Sequence, residues 1–193
     1  MSDHHFGQTA IWRDFKQDGI PMRPFLSNDE MHHTLITNHN ATVRPSDKVI
    51  FVGDLSFSGA VHDEIMPQLN GRKYLVRGNH DRFSESRYTK HFAKVHGAYT
   101  IDGFLVTHFP IHPESMGRYV MNIHGHLHTR AVMKEVLADN CGKQYTIEVE
   151  DESYYSVCVE RHNYTPVDFD LIKDIAEVRG QYERAKKKVY YDD

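Results

Sequence analysis

Cysteine is scarce in this chain of 193 residues: Cys141 and Cys158 are the only two, and they do not form a Cys-x-x-Cys spacing. A disulfide framework or a thiolate metal centre therefore finds no support, and two reduced thiols in a cytoplasmic setting are the expectation. Long apolar runs are missing as well; none approaches the roughly 20 residues that cross a bilayer, so no membrane partner is expected. The N-terminus is polar from Ser2 onward, without the apolar stretch of a secretory signal. Positive charge is not in excess either. The net charge of -4 argues against a protein that coats nucleic acid. The one basic run, Lys186-Lys187-Lys188, sits in a charged stretch ending Asp192-Asp193 and reads as a solvated helix face. There is no internal repeat, low-complexity tract or linker. Hydrophobic residues at 39% and charged residues at 26% are ordinary for a globular chain. The length predicts one domain, residues 1–193, around a single core.

What is abundant is histidine, at 15 residues. Composition does not say which of them act, but position does. The coarse pattern alternates strands with helices and predicts an α/β fold. Strands are expected at 48–52, 73–77 and 119–123. A hairpin is expected from Tyr99 to Thr107 around Asp102-Gly103, with further β runs at 145–149 and 154–160. Helices are expected at 31–38 behind a Ser27-Asn28-Asp29-Glu30 cap, at 60–69, at 84–94, and from Asp168 to about Lys187, where Gly180 weakens the middle.

Five separated stretches carry metal-binding side chains: Asp3-His4-His5, Gly53-Asp54, Gly78-Asn79-His80-Asp81, His108, and Gly125-His126-Leu127-His128. Four follow a predicted strand. In open α/β sheets ligands collect at the carboxyl ends of parallel strands, so one arrangement brings all four together. The donors are carboxylate, amide and imidazole, a mixed set that suits manganese, iron, zinc and nickel alike. Asp54 has two oxygens and can bridge two cations; Asn79 supplies a neutral oxygen. Two cations about 3.5–4 Å apart can hold a hydroxide between them and clamp phosphoryl oxygens. The leaving oxygen then needs a proton, and His80 is placed to give it, with Asp81 to orient His80. Arg82, directly after, is the best candidate among the arginines to touch phosphate, ahead of Arg118 and Arg130.

Each piece has a plainer explanation when taken alone. A Gly-Asp after a strand is usually a turn, and a lone His108 is more often structural than a ligand. The joint occurrence in this order is what carries the reading. His32, His33, His39, His62, His91, His96 and His162 lack such a context and read as surface or structural. His4 is expected to point away from its neighbours, and His112 and His124 lie close to motifs.

The ordered set Asp3-x-His5, Gly53-Asp54, Gly78-Asn79-His80-Asp81, His108, Gly125-His126-x-His128 resembles the calcineurin-like metallophosphoesterases. Asp3-His4-His5-Phe6-Gly7 and the region from Val159 to Pro166 are similar to the small cap-less bacterial and phage members. The resemblance implies a β-sandwich flanked by helices, in four layers α/β/β/α. It implies one ion held by Asp3, His5, Asp54 and His128, and a second by Asp54, Asn79, His108 and His126, with His80 near the scissile phosphate; Asn79 is also expected to contact substrate. Two positions depart from the pattern. Only Met1 and Ser2 precede Asp3, where the family runs a hydrophobic strand into the motif, so either the chain starts upstream or this sheet edge is built differently. Gln8 stands where close relatives carry His.

The expected function is hydrolysis of a small phosphodiester or phosphomonoester with two divalent cations, Mn²⁺ foremost, then Fe²⁺, Zn²⁺ or Ni²⁺. Nucleic acid is expected as a partner only in the form of a nucleotide. The alternatives are a catalytically silent scaffold of the same fold, a nuclease, a protein phosphatase, and a metal-storing domain. An intact His80-Asp81 pair favours the enzyme.

Overall fold

Two sheets end their parallel strands at one place in the computed structural model, which describes residues 1–189. The elements in chain order are α1 (Ala10–Arg13), β1 (Lys16–Gln17), β2 (Ile20–Pro21), α2 (Asn28–Thr42), β3 (Lys48–Phe51), α3 (Gly59–Ile65), β4 (Arg72–Val76), α4 (Glu85–Tyr88), β5 (Lys94–His96), β6 (Ala98–Ile101), β7 (Phe104–Thr107), β8 (Asn122–His124), β9 (Met133–Asn140), β10 (Lys143–Glu150), β11 (Tyr154–Ser156), α5 (Phe169–Val178) and α6 (Gln181–Val189). One sheet runs β3-β4-β5, all parallel. The other runs β11-β8-β7-β6, parallel except for the β6–β7 hairpin. The result is the expected mixed α/β architecture of packed sheets and flanking helices. No helix among the described residues is long and apolar enough to cross a membrane. Asp192 and Asp193 lie outside those residues.

Burial patterns explain the layering. Val49 and Phe51 of β3 and Leu75 of β4 meet Met31 and Leu35 of α2, Ile65 of α3 and Tyr88 of α4 in one apolar cluster. The face of the second sheet with Phe104, Val106 and Ile123 meets Val52, Val76 and the buried residues Ile172, Ala176 and Ala185 of α5 and α6. Helix α2 starts where the sequence says it should: the Ser27 side chain accepts from the Glu30 N–H at 3.1 Å, and Asp29 and Glu30 face the positive end of the helix dipole.

The residues ahead of the first motif lie between the two sheets. The Asp3 N–H donates to the Gly53 carbonyl at 3.0 Å, and the Ser2 N–H donates to the Val157 carbonyl at 2.9 Å. Bridges at Ser2–Cys158 and Phe6–Ser56 flank that segment on its two sides.

Several boundaries differ from expectation. The helix expected at 84–94 ends at Tyr88, because the Ala93 N–H pairs with the Lys73 carbonyl and Lys94–His96 joins β4 as a strand. The C-terminal helix breaks at Gly180, whose φ of +67° is left-handed. The run expected at 119–123 pairs only from Asn122. The run at 154–160 stops at Ser156, and Val159–His162 coils into a 3₁₀ turn. Strand β9, not foreseen, is the antiparallel partner of β10.

Candidate metal centre

The segments after β3, β4, β7 and β8 converge with Asp3 and His5 at the carboxyl end of both sheets. Close approach is possible because two glycines carry no side chain. A Cβ on Gly53 would lie 2.4 Å from the His108 Nδ1 and 2.7 Å from the Gly78 backbone, and one on Gly78 would lie 2.2 Å from an Asp54 oxygen. The backbone is bent to aim the donors. Asp3, His5, Asp54, His126 and His128 have φ of 57°, 54°, 55°, 70° and 53°. That region costs non-glycine residues about 1–2 kcal/mol each, so the surrounding contacts must hold it in place.

Two groups of donors result. Asp3, His5 and His128 each offer an atom within 4.8 Å of the others, and so do Asp54, His108 and His126. Asp54 joins the groups: its Oδ2 lies 3.8 Å from the His5 Nε2 and 3.3 Å from the His108 Nε2. Its Oδ1 accepts the His80 N–H at 2.8 Å. Asn79 Oδ1 lies 3.0 Å from the same His108 nitrogen.

Lone pairs face each other across these groups. The His108 Nδ1 sits 2.8 Å from the Val52 carbonyl, which assigns the proton to that nitrogen and leaves Nε2 turned bare toward the oxygens of Asp54 and Asn79. The His5 Nδ1 lies 2.6 Å from the Gln8 Oε1, which leaves its Nε2 bare as well. Asp3 Oδ1 and His5 Nε2 are buried with no hydrogen-bond partner. Buried polar atoms are rarely orphaned, and a cation between them satisfies all of these atoms at once. The residues present therefore fit a pair of divalent cations.

The metal-free electrostatics divide. Burial lowers His108 and His128, but Asp54 outweighs it at the first and Glu160 at the second, so both imidazoles are raised. The carboxylates are held ionised. Burial pushes the Asp3 carboxyl up, but the imidazoles of His5, His108 and His128 outweigh it and hold the group well below the usual carboxylate range. Asp54 behaves likewise, with burial outweighed by His108. Burial lowers His126 and His80. The Cys158 thiol, raised by burial, donates to Asp3 Oδ2 at 3.3 Å and stays a neutral donor behind the ligand.

Other expected site residues fall as follows. His80 sits at the mouth, its ring 5.8 Å from that of His5 and 4.6 Å from that of Phe57. Arg82 is exposed, its Nε donating to the Asn79 carbonyl at 3.1 Å. Asp81 does not orient His80, which corrects the expected pairing. Both its oxygens are taken by backbone N–H groups: Asp54 at 2.8 Å, Gly78 at 2.8 Å and Leu55 at 3.0 Å. It ties the loop after β3 to the loop after β4, and its oxygens make no hydrogen bond to the His80 ring among the described residues. His4 does point away, stacking on Phe6 and Phe51. His39 and His62 are structural rather than surface residues, since both are buried.

Two functional residues escaped the sequence. Glu160 Oε1 lies 2.9 Å from the His128 Nδ1, the far nitrogen of a candidate ligand. The fully buried Arg23 donates to Glu160 at 2.6 Å and to the carbonyls of His4 and Asp3. Carboxylate–histidine pairs of this kind fix the ring and its tautomer. No spacing signal marks either residue, because the pairing exists only after the 3₁₀ turn folds Glu160 inward.

This fold and these two donor groups are of the kind found in the calcineurin-like phosphoesterase class. The family model described as calcineurin-like phosphoesterase matches residues 1–187, and the chain belongs to that family. Among its relatives is an uncharacterised protein, MJ1445, of Methanocaldococcus jannaschii, 32% identical over 180 residues that make up 92% of this chain and 89% of that one. The crystal structure of AQ665 from Aquifex aeolicus, a protein of unknown function, is similar in fold, with a TM-score of 0.60 at 20% identity, covering 91% of this chain and 96% of that one.

Proposed function

We propose that the chain hydrolyses small phosphodiesters or phosphomonoesters with two divalent cations, Mn²⁺ ahead of Fe²⁺, Zn²⁺ and Ni²⁺, and with His80 as proton donor. The observation that carries this reading is the Asp54 carboxylate, set 3.8 Å from His5 and 3.3 Å from His108 between two groups of carboxylate and imidazole donors. Bound there, the cations supply Lewis acidity toward a phosphoryl oxygen and a water ionised near neutral pH. The protein does the rest. Asp3, His5 and His128 would hold one ion and His108, His126 and Asn79 the other, with Asp54 shared. His80 faces the open side and protonates the leaving oxygen.

The rim supports a small ester. Phe57 and Phe109 are exposed at 40% and 48% and flank the mouth, Phe57 against His80 and Phe109 4.4 Å from the His126 ring. Apolar walls of this kind suit an aryl or nucleoside leaving group. The acidic balance of the chain disfavours a nucleic-acid polymer. Two free cysteines, Cys141 exposed and Cys158 buried, suit a reducing cytoplasm.

The test is removal and return of metal. Protein stripped with a chelator is assayed on bis(4-nitrophenyl) phosphate, 4-nitrophenyl phosphate and cyclic nucleotides, before and after each of the four ions. Activity should vanish on stripping and return first with Mn²⁺. Fully loaded protein inert toward every ester in the panel refutes the reading.

A further inference from the structure

A second, separate set of donors lies behind the candidate centre, where α3 packs against the segment after α4. His62 and Asp63 are neighbours on α3, and His91 follows α4 by three residues. One donor atom from each lies within 4.8 Å of the other two. None of these three residues belongs to the groups around Asp54.

An ordinary ion pair between Asp63 and His91 is the first explanation to test. The His91 Nε2 lies 3.4 Å from the Asp63 Oδ1, yet the geometry makes no hydrogen bond, and both atoms are left without a partner. His62 is fully buried, at 0% exposure, and neither of its ring nitrogens has a partner. One donor atom from each of the three residues thus meets in one place, and each residue carries an unpartnered buried atom. An unpaired buried donor or acceptor is costly, so convergence of three such residues is not expected by chance. A polar core satisfied by protein hydrogen bonds does not look like this; a set of cation ligands does.

We infer that His62, Asp63 and His91 form a third metal site, for a borderline divalent cation of the zinc class. Two imidazoles and one carboxylate are a common donor set for such an ion, with a fourth position left to water. Burial holds the His62 imidazole low, at about 4, so the ring is neutral and free to ligate at physiological pH. Phe83, Tyr88 and Phe92 wall it in, with ring centroids 5.5, 5.4 and 6.1 Å away. Asp63 and His91 are partly buried as residues, while the donor atoms themselves are enclosed. Arg87 approaches the other oxygen of Asp63, Oδ2, at 3.9 Å and leaves Oδ1 for the ion.

The site has a structural consequence. Helix α3 begins shortly after the loop that carries Asp54, and α4 shortly after the loop that carries His80 and Asp81. An ion shared by α3 and the end of α4 would clamp the two loops from behind, adding to the tie that Asp81 makes in front.

The experiment compares the wild type with His91→Gln and Asp63→Asn, both at partly exposed positions that leave the buried His62 in place. Each protein is stripped, reloaded with Zn²⁺ alone, desalted and assayed for bound metal, with Co²⁺ absorption as a second readout of coordination. Each variant should hold one equivalent less than the wild type. Each should also lose part of the rise in Tm that Zn²⁺ gives, while hydrolysis at saturating Mn²⁺ stays within about twofold of wild type. Equal metal content in wild type and both folded variants overturns the proposal. The readout is a difference of one equivalent, whatever the total. It therefore stands apart from the reading of the Asp54 centre: were that centre to hold nothing, the count would fall from one to zero.

Discussion

The two halves of the candidate metal centre are supported in different ways. Behind Asp3, His5 and His128 stands a buried chain of charge and hydrogen bonds: Gln8 on His5, Glu160 on His128, and Arg23 on Glu160. Behind His108 stands a single backbone carbonyl, that of Val52. His126 has no ring hydrogen bond among the described residues; its backbone N–H donates to Asp3, and its ring rests against Phe109. Rings held by a carboxylate are fixed in tautomer and made more basic, so the first half is preorganised for tight binding. The second half has fewer side-chain supports and is freer to adjust. One ion should thus be resident and the other exchangeable, with Asp54 coupling them.

That contrast breaks most sharply at the coupling residue. Asp54→Asn keeps the shape but removes the shared charge. It should lower kcat by roughly 10³-fold and weaken both ions together. Loss of only one equivalent of metal, with activity within tenfold of wild type, would show that the halves act separately. His80→Ala should cost about 10²–10⁴-fold in kcat while metal content stays unchanged. The loss should be greater for a methyl or phenyl leaving group than for 4-nitrophenyl, because the better leaving group needs its proton less. An equal loss for all esters would remove His80 as the donor.

Glu160→Gln tests the asymmetry itself. It should weaken one ion by about 10–100-fold and leave the other unaffected, with activity recovered at high Mn²⁺. The same variant removes the partner of the fully buried Arg23, so stability must be followed alongside. The two causes separate because added metal restores the first and not the second. Arg23 and His128 outweigh burial and hold the Glu160 carboxyl below its ordinary 4.5. A depressed carboxyl binds its proton more weakly in the fold than in the unfolded chain. Its stabilisation is therefore complete above about pH 4.5 and is lost as pH falls below that value. The melting temperature of metal-free wild type should fall through that window, and Glu160→Gln should flatten the fall.

The same asymmetry governs what could be read in advance. Residues that end a strand announce themselves, because an apolar run followed by Gly-Asp or Gly-Asn-His-Asp is a local pattern. Asp54, Asn79, His108, His126 and His128 were visible that way, and so were α2 and the β6–β7 hairpin. Residues that matter only through a distant partner were not. Glu160 and Arg23 are 137 positions apart, and neither has a local signature. Asp81 was visible but misassigned, since its neighbour in sequence, His80, is not its partner in space. The extension of α4 failed for a related reason: Lys94–His96 has helical company in the chain but finds β4 alongside it in the fold. His62 and His91 looked like background histidine because their spacing matches no motif and only the packing of α3 against the segment after α4 brings them together.

Arg82→Ala is the mildest change and addresses the entrance rather than either half. Its Nε is already spent on the Asn79 carbonyl, and the remaining guanidinium edge is exposed. An exposed charge contributes to capture of an anion more than to the chemical step, since solvent screens it and substrate and transition state carry similar charge. KM should rise by about threefold to fivefold with kcat within about twofold, and the effect should shrink as salt is added. Unchanged kinetics would place Arg82 outside the site, leaving its bond to Asn79 as a brace for the loop. A fall in kcat with KM unchanged would instead mean that this bond holds Asn79 in position, and would extend the weakly supported half of the centre out to the surface.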